Sequence, residues 1–139
     1  MDIKTNRLLI RKFEHKDLQA VYAYTSDIHV MKYIPEGVFT EEAAKEFINQ
    51  NMGDQAEKFP VILIDENIVI GHIFFAQYFG EHTYEIGWVF NPNYYNKGYA
   101  SEAAKAMIEF GFEKMKLHRI IATCQPENIP SYRVMEKIG

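Results

Sequence analysis

Between residues 99 and 115 the apolar positions recur at helical spacing. Ala100, Ala103, Ala104, Met107, Ile108, Gly111 and Met115 share one face. A long helix is predicted there, opening just after Gly98. The preceding run, Tyr84 to Phe90, reads as a strand, and a turn-rich segment, Asn91 to Lys97, joins the two. This strand–loop–helix unit brings backbone N–H groups together at a helix start. There they have no partner within the helix and carry a partial positive charge, an arrangement that suits phosphate groups. By itself it is equally an ordinary strand-to-helix connection.

The rest of the chain arranges itself around that unit. Arg7 to Phe13 alternates weakly and predicts a first strand. A helix follows from Asp17-Leu18, with Leu18, Val21 and Tyr22 inward; Ser26-Asp27 breaks it and caps a short second helix through Met31 to Ile34, which Pro35 and Gly37 end. Thr40 is an N-cap, with Glu41 and Glu42 in the first turn of the next helix. Ala44, Phe47 and Ile48 line its face, and Gly53 stops it. Phe59 to Ile64 and Ile68 to Gln77 form a hairpin across Asp65-Glu66-Asn67, and Gly80-Glu81-His82 turns the chain into the strand ending at Phe90. After the long helix, Arg119 to Cys124 is a compact apolar strand suited to a parallel partner and burial on both faces. Asn128 opens a last helix. The order predicts an α/β (α+β) domain: a mixed, mostly antiparallel central sheet flanked by helices, with one parallel crossover through the long helix.

Bulk properties narrow the class. The 139 residues suit one domain, 1–139, and 47% hydrophobic with 14% aromatic residues is enough for a core. A net charge of −4 argues against a nucleic-acid surface. The single cysteine, Cys124, excludes an internal disulfide. No apolar run is long enough to span a membrane, and the first residues lack a signal-peptide core, so a cytoplasmic protein is expected.

Three segments taken together sharpen this reading. They are Tyr84-Glu85-Ile86-Gly87-Trp88-Val89-Phe90, Tyr95-Asn96-Lys97-Gly98-Tyr99-Ala100, and Asn128-Ile129-Pro130-Ser131-Tyr132-Arg133-Val134-Met135-Glu136-Lys137-Ile138-Gly139. Their order and spacing resemble the GNAT superfamily of N-acetyltransferases. They are most similar to its RimJ/RimL-like branch, whose first strand the opening Thr5-Asn6-Arg7-Leu8-Leu9-Ile10-Arg11 also resembles. The likeness covers essentially the whole chain.

The resemblance implies acetyl-CoA as donor and a primary amine, a protein N-terminus or a small molecule, as acceptor. It implies that the pyrophosphate lies on backbone N–H groups of Tyr95, Asn96, Lys97, Gly98, Tyr99 and Ala100. Gly98 lets the backbone approach and small Ala100 leaves room. Tyr95 stands where the family often has Gln or Arg. Lys97 is either a charge near phosphate or a solvated loop lysine. The pantetheine arm would pair with backbone groups of Trp88, Val89 and Phe90, and Asn128 would hold the coenzyme, cap the last helix, or do both. The resembled family continues past this C-terminal motif by about two strands, so the domain is expected to be C-terminally incomplete. Self-association, a homodimer, would then cover the Arg119–Cys124 edge.

The chemistry needs a neutral amine. An α-amine of pKa near 8 is about one-tenth neutral at pH 7, and a lysine amine is neutral only at about one part in a few thousand. Glu85, on the strand before the loop, is the candidate base, or else a polar residue of the sheet surface. By alternation it points away from Tyr84, Ile86 and Trp88. The departing thiolate needs a proton. Met135 stands where many family members carry a tyrosine, and in the resembled branch a serine three residues after the asparagine serves, which is Ser131; Tyr132 is its phenolic neighbour. Cys124 reads as core rather than nucleophile. The five histidines show no metal-ligand spacing, so no metal is expected. The other class consistent with these residues is a non-catalytic acyl-CoA-binding or regulatory module.

Overall fold

The computed structural model describes residues 2–32, 34, 37–78 and 83–122. Their strands form one six-stranded sheet in which spatial order follows chain order. The strands are β1 (Ile3–Lys4), β2 (Leu8–Ile10), β3 (Lys58–Leu63), β4 (Ile68–Gln77), β5 (Thr83–Phe90) and β6 (Arg119–Ala122). Each neighbouring pair from β1 to β5 is antiparallel, and β5 with β6 is parallel. The helices are α1 (Leu18–Thr25), α2 (Glu41–Gln50) and α3 (Tyr99–Glu113).

The mixed sheet with a parallel crossover through the long helix matches the expectation, and β4 keeps its predicted bounds. The first strand is shorter than predicted. Thr5 N–H closes a turn onto the Leu8 carbonyl at 2.8 Å. Beyond Ile10, the Arg11 guanidinium turns to grip the buried Asp17 carboxylate at 2.9 Å. Where the short helix through Met31–Ile34 was expected, residues 28–32 form turns and a bend, with Met31 N–H bonded to the Asp27 carbonyl and Ile34 N–H to the Met31 carbonyl. In α1 the deepest residues are Val21, Tyr24 and Thr25, with Leu18 and Tyr22 half-buried at its flanks. The Thr40 hydroxyl caps α2 as expected, accepting from Ala43 N–H at 3.1 Å. β6 is exposed at Arg119 and half-buried at Ile120, Ile121 and Ala122, not buried on both faces.

Two cores lie on the two sides of the sheet. Leu8, Val61, Ile73, Ile86 and Phe90 pack with Ala103, Ala104 and Met107 of α3. Phe13, Val21, Tyr24, Phe47, Ile48, Ile62 and Val69 pack under α1 and α2. The small residues of α3 let that helix approach the sheet closely. A register shift between Val61 and Ile62 leaves an extra residue in β4 and bends the sheet there. Gly71 sits at that bend. A Cβ on it would lie 2.5 Å from the Val89 carbonyl oxygen and 2.7 Å from the Phe90 ring. The glycine thus allows β4 and the end of β5 to approach each other.

Candidate functional site

β5 delivers the chain to the loop that opens α3. Its register with β4 pairs Ala76 with Glu85, Phe74 with Gly87, Ile73 with Trp88, His72 with Val89 and Gly71 with Phe90. On its other side β6 pairs with Thr83, Tyr84, Glu85 and Ile86. Among the described residues no strand pairs with Gly87–Phe90 on that side. Among the described residues, half of β5 is therefore braced on both edges, and half on one.

The alternation expected for β5 holds. Tyr84, Ile86, Trp88 and Phe90 belong to the α3-side core, and Val89 packs on the α1/α2 side. Glu85, half-buried, shares the parity of Val89. The Trp88 indole nitrogen is buried without a hydrogen-bond partner among the described residues, and so is the Ser101 hydroxyl in the first turn of α3.

The loop is built by local rules. Asn91 accepts from Asn93 N–H at 3.0 Å and starts a 3₁₀ turn over Pro92–Tyr94. Asn96 and Gly98 both have left-handed backbones, with φ of 63° and 81°. Asparagine tolerates that region and glycine enters it freely. Gly98 is the N-cap of α3, and its carbonyl accepts from Glu102 N–H at 3.0 Å. A left-handed residue leading into a right-handed helix makes a concavity of N–H groups that favours anions. A Cβ on Gly98 would sit 3.4 Å from an Arg7 nitrogen, an ordinary contact, so the torsion rather than crowding calls for glycine here. Tyr95, Asn96 and Lys97 are exposed, and Tyr99 and Ala100 half-buried. Burial raises the Tyr95 phenol above its ordinary pKa, with the charge of Asp27 adding to it.

Arg7 was not among the residues singled out from sequence, yet it reaches further into the loop than any of them. Its Nε donates to Glu102 Oε1 at 2.7 Å, its Nη1 donates to the Lys97 carbonyl at 3.0 Å, and its guanidinium lies 4.4 Å from the centre of the Tyr99 ring. The Thr5 hydroxyl also donates to Glu102. Burial raises the Glu102 carboxyl, but the hydrogen bonds from Thr5 and Arg7 more than reverse this, leaving it below the ordinary carboxylate range. On the far side the Lys97 ammonium lies 6.0 Å from the Tyr94 ring, and the Tyr94 hydroxyl donates to Glu66 at 3.4 Å. The only sequence hint of this bracing was an acidic residue in the first turn of a helix. Nothing local pairs it with an arginine ninety-five positions earlier.

Asn128, Ser131, Tyr132 and Cys124 lie outside the described residues. Among the described residues no three His, Cys, Asp or Glu side chains are grouped to hold a metal ion, and no helix is long and apolar enough to cross a membrane.

Comparison with known proteins gives a consistent picture. The acetyltransferase (GNAT) domain family matches residues 7–139. An uncharacterized N-acetyltransferase of Bacillus subtilis (strain 168), YnaD, is 78% identical over the whole chain, which spans 82% of that protein. A solved GNAT-family acetyltransferase from Bacillus anthracis is 74% identical and superposes with a TM-score of 0.96, over 100% of this chain and 82% of that one. Spermidine N-acetyltransferase from Vibrio cholerae, solved with CoA and spermine, shares the fold at a TM-score of 0.81. It is 22% identical, over 97% of this chain and 81% of its own.

Proposed function

The chain belongs to the GNAT acetyltransferase family, and from that premise we propose that it transfers acetyl from acetyl-CoA to a primary amine by direct attack in a ternary complex. The observation that carries the donor half is the left-handed Gly98 at the start of α3, next to a half of β5 that, among the described residues, has no strand partner on its β6 side. The fit to the coenzyme is good on three counts. The first-turn N–H groups from Gly98 onward suit a pyrophosphate. The Trp88–Phe90 edge, which no strand pairs on that side among the described residues, suits an extended amide-bearing arm. The buried Trp88 nitrogen and Ser101 hydroxyl, without a partner among the described residues, flank the β5–α3 junction, and a polar ligand would relieve them.

In this reading Tyr95, Asn96, Lys97, Gly98, Tyr99 and Ala100 hold the pyrophosphate, Trp88, Val89 and Phe90 pair with the pantetheine, and Asn128 also holds the coenzyme. When bound, the donor supplies an activated thioester carbonyl. Glu85 takes a proton from the acceptor ammonium, directly or through water. The free amine nitrogen then forms a bond to the carbonyl carbon, and the carbon–sulfur bond breaks. Ser131 gives a proton to the departing sulfur and regains one from the acylated, still protonated nitrogen through solvent. Positioning of the two reactants accounts for most of the rate, and proton handling adds a smaller factor.

The acceptor is a peptide N-terminus or a small-molecule amine. Polyamines merit early testing because the Vibrio cholerae protein of the same fold was solved with spermine. The experiment is thiol release from acetyl-CoA, screened across N-terminal peptides, polyamines and aminoglycosides. Release that depends on an amine supports the reading. CoA binding without release under any acceptor would favour a non-catalytic acyl-CoA-binding module.

A further inference from the structure

We propose that Arg7 is the positioning residue of the phosphate-binding loop: its guanidinium pins the Lys97 carbonyl and cancels the charge of Glu102, so that the helix start presents both the right N–H direction and a positive field to the coenzyme. The inference rests on the donor-site reading above and adds to it a device from outside the loop.

The pinning follows from peptide geometry. A trans peptide is planar, so the Lys97 carbonyl and the Gly98 N–H point in opposite directions. Arg7 Nη1 holds that carbonyl at 3.0 Å. The Gly98 N–H is thereby turned away from β2. The left-handed torsion of Gly98 then sets the following N–H groups. The Arg7 backbone is itself anchored: its carbonyl accepts from Ile64 N–H at 2.9 Å, one residue beyond the Leu8–Leu63 pair that ends the β2–β3 ladder.

Glu102 lies in the first turn of α3, and an acidic residue there favours the free helix. For a helix that must receive phosphate, the same carboxylate competes with the ligand for the positive end of the dipole and repels it. Arg7 meets that carboxylate at 2.7 Å, and the Arg7 and Thr5 contacts draw both of its oxygens toward β1 and β2. The arginine neutralises the repulsion while the carboxylate fixes the guanidinium in the pose that reaches Lys97. Arg7 remains 42% exposed on its side chain, so the pair is accessible to salt, and its effect on affinity is screened accordingly.

The test is CoA affinity by calorimetry at low and high salt, with circular dichroism to confirm the fold of each variant. Arg7→Met should weaken CoA binding by about tenfold at low salt and by less at high salt. Arg7→Met combined with Glu102→Gln should recover part of that loss, because the uncompensated carboxylate is gone. A residue that only supported the fold would give no such recovery and no salt dependence. Arg7→Lys, which keeps the charge but not the fork, should fall between wild type and Arg7→Met, and it serves if the methionine variant does not fold. Unchanged affinity in these folded variants, or a double variant as weak as or weaker than Arg7→Met, overturns the inference while leaving the donor site standing. Absence of CoA binding by the wild type would remove the donor-site reading and this inference together.

Discussion

The Tyr24 hydroxyl meets Nδ1 of His72 at 2.7 Å in the core between the sheet and helices α1 and α2. The His72 ring also lies 5.0 Å from the Phe47 ring. Burial, reinforced by the charge of Lys58, lowers the histidine to about 3, and burial raises the Tyr24 phenol well above its ordinary value. Both partners are therefore neutral in the folded protein across the physiological range.

The pair makes stability depend on pH in a defined window. An unfolded histidine takes up a proton near pH 6.5, whereas the folded one resists to about 3. Stability is thus fully present above about 6.5 and falls as pH drops below it, by about 1.4 kcal/mol per unit and about 2 kcal/mol by pH 5. Urea unfolding between pH 7.5 and 5 should show this slope. The double variant Tyr24→Phe/His72→Phe, which removes the titration without orphaning a partner, should show a flatter profile. Parallel profiles would mean that His72 is not the group responsible.

Gly98→Val tests the loop. A β-branched residue at a φ of 81° is strained by about 1–2 kcal/mol, and the loop escapes the strain by changing its torsions. CoA affinity should fall by more than about tenfold, as expected for a binding geometry that depends on one torsion. The melting temperature should move by only a few degrees. Unchanged affinity by calorimetry would remove the loop from the donor site.

Turnover separates the two proton-handling residues. Ser131→Ala should lower kcat by about a hundredfold with little change in donor affinity. Glu85→Gln should lose most activity near neutral pH and regain it as pH rises and the amine deprotonates without help. A deficit of equal size at every pH would rule Glu85 out as a base, and intact turnover in Ser131→Ala would leave that serine a helix residue.

Gly71→Ala addresses how β4 holds the end of β5. The new methyl group would press on the Val89 carbonyl and the Phe90 ring. A backbone oxygen cannot move aside cheaply, so the substitution should destabilise the fold by about 1–3 kcal/mol. Denaturant titration reads that directly. A midpoint equal to wild type would show that β5 can withdraw from β4 without penalty.

Much of this protein was legible in one dimension. The apolar run of β4, the alternation of β5 and the helical stripe from Ala100 to Gly111 are local signals. So is the Thr40 cap, which needs only the three residues after it. Gly98 was legible as a glycine between a strand and a helix, and the structure adds its left-handed torsion. The misreadings fall where tertiary contacts overrule the local pattern. Arg11 leaves the first strand because Asp17 offers it a buried carboxylate, and residues 28–32 form turns and a bend where a short helix was expected.

What only the folded chain decided is how the loop is held. Glu102 looks like a routine first-turn acid until the sheet brings Arg7 to it, and His72 looks like one more strand residue until α1 sets Tyr24 against it. Both pairs join residues far apart in the chain, 95 positions in one case and 48 in the other. Torsional preference and hydrophobic period act between near neighbours, so the sequence by itself determined the elements and the glycine loop. Which charged and polar side chains meet was determined by the order in which β1 to β6 lie side by side and by the faces that α1, α2 and α3 cover.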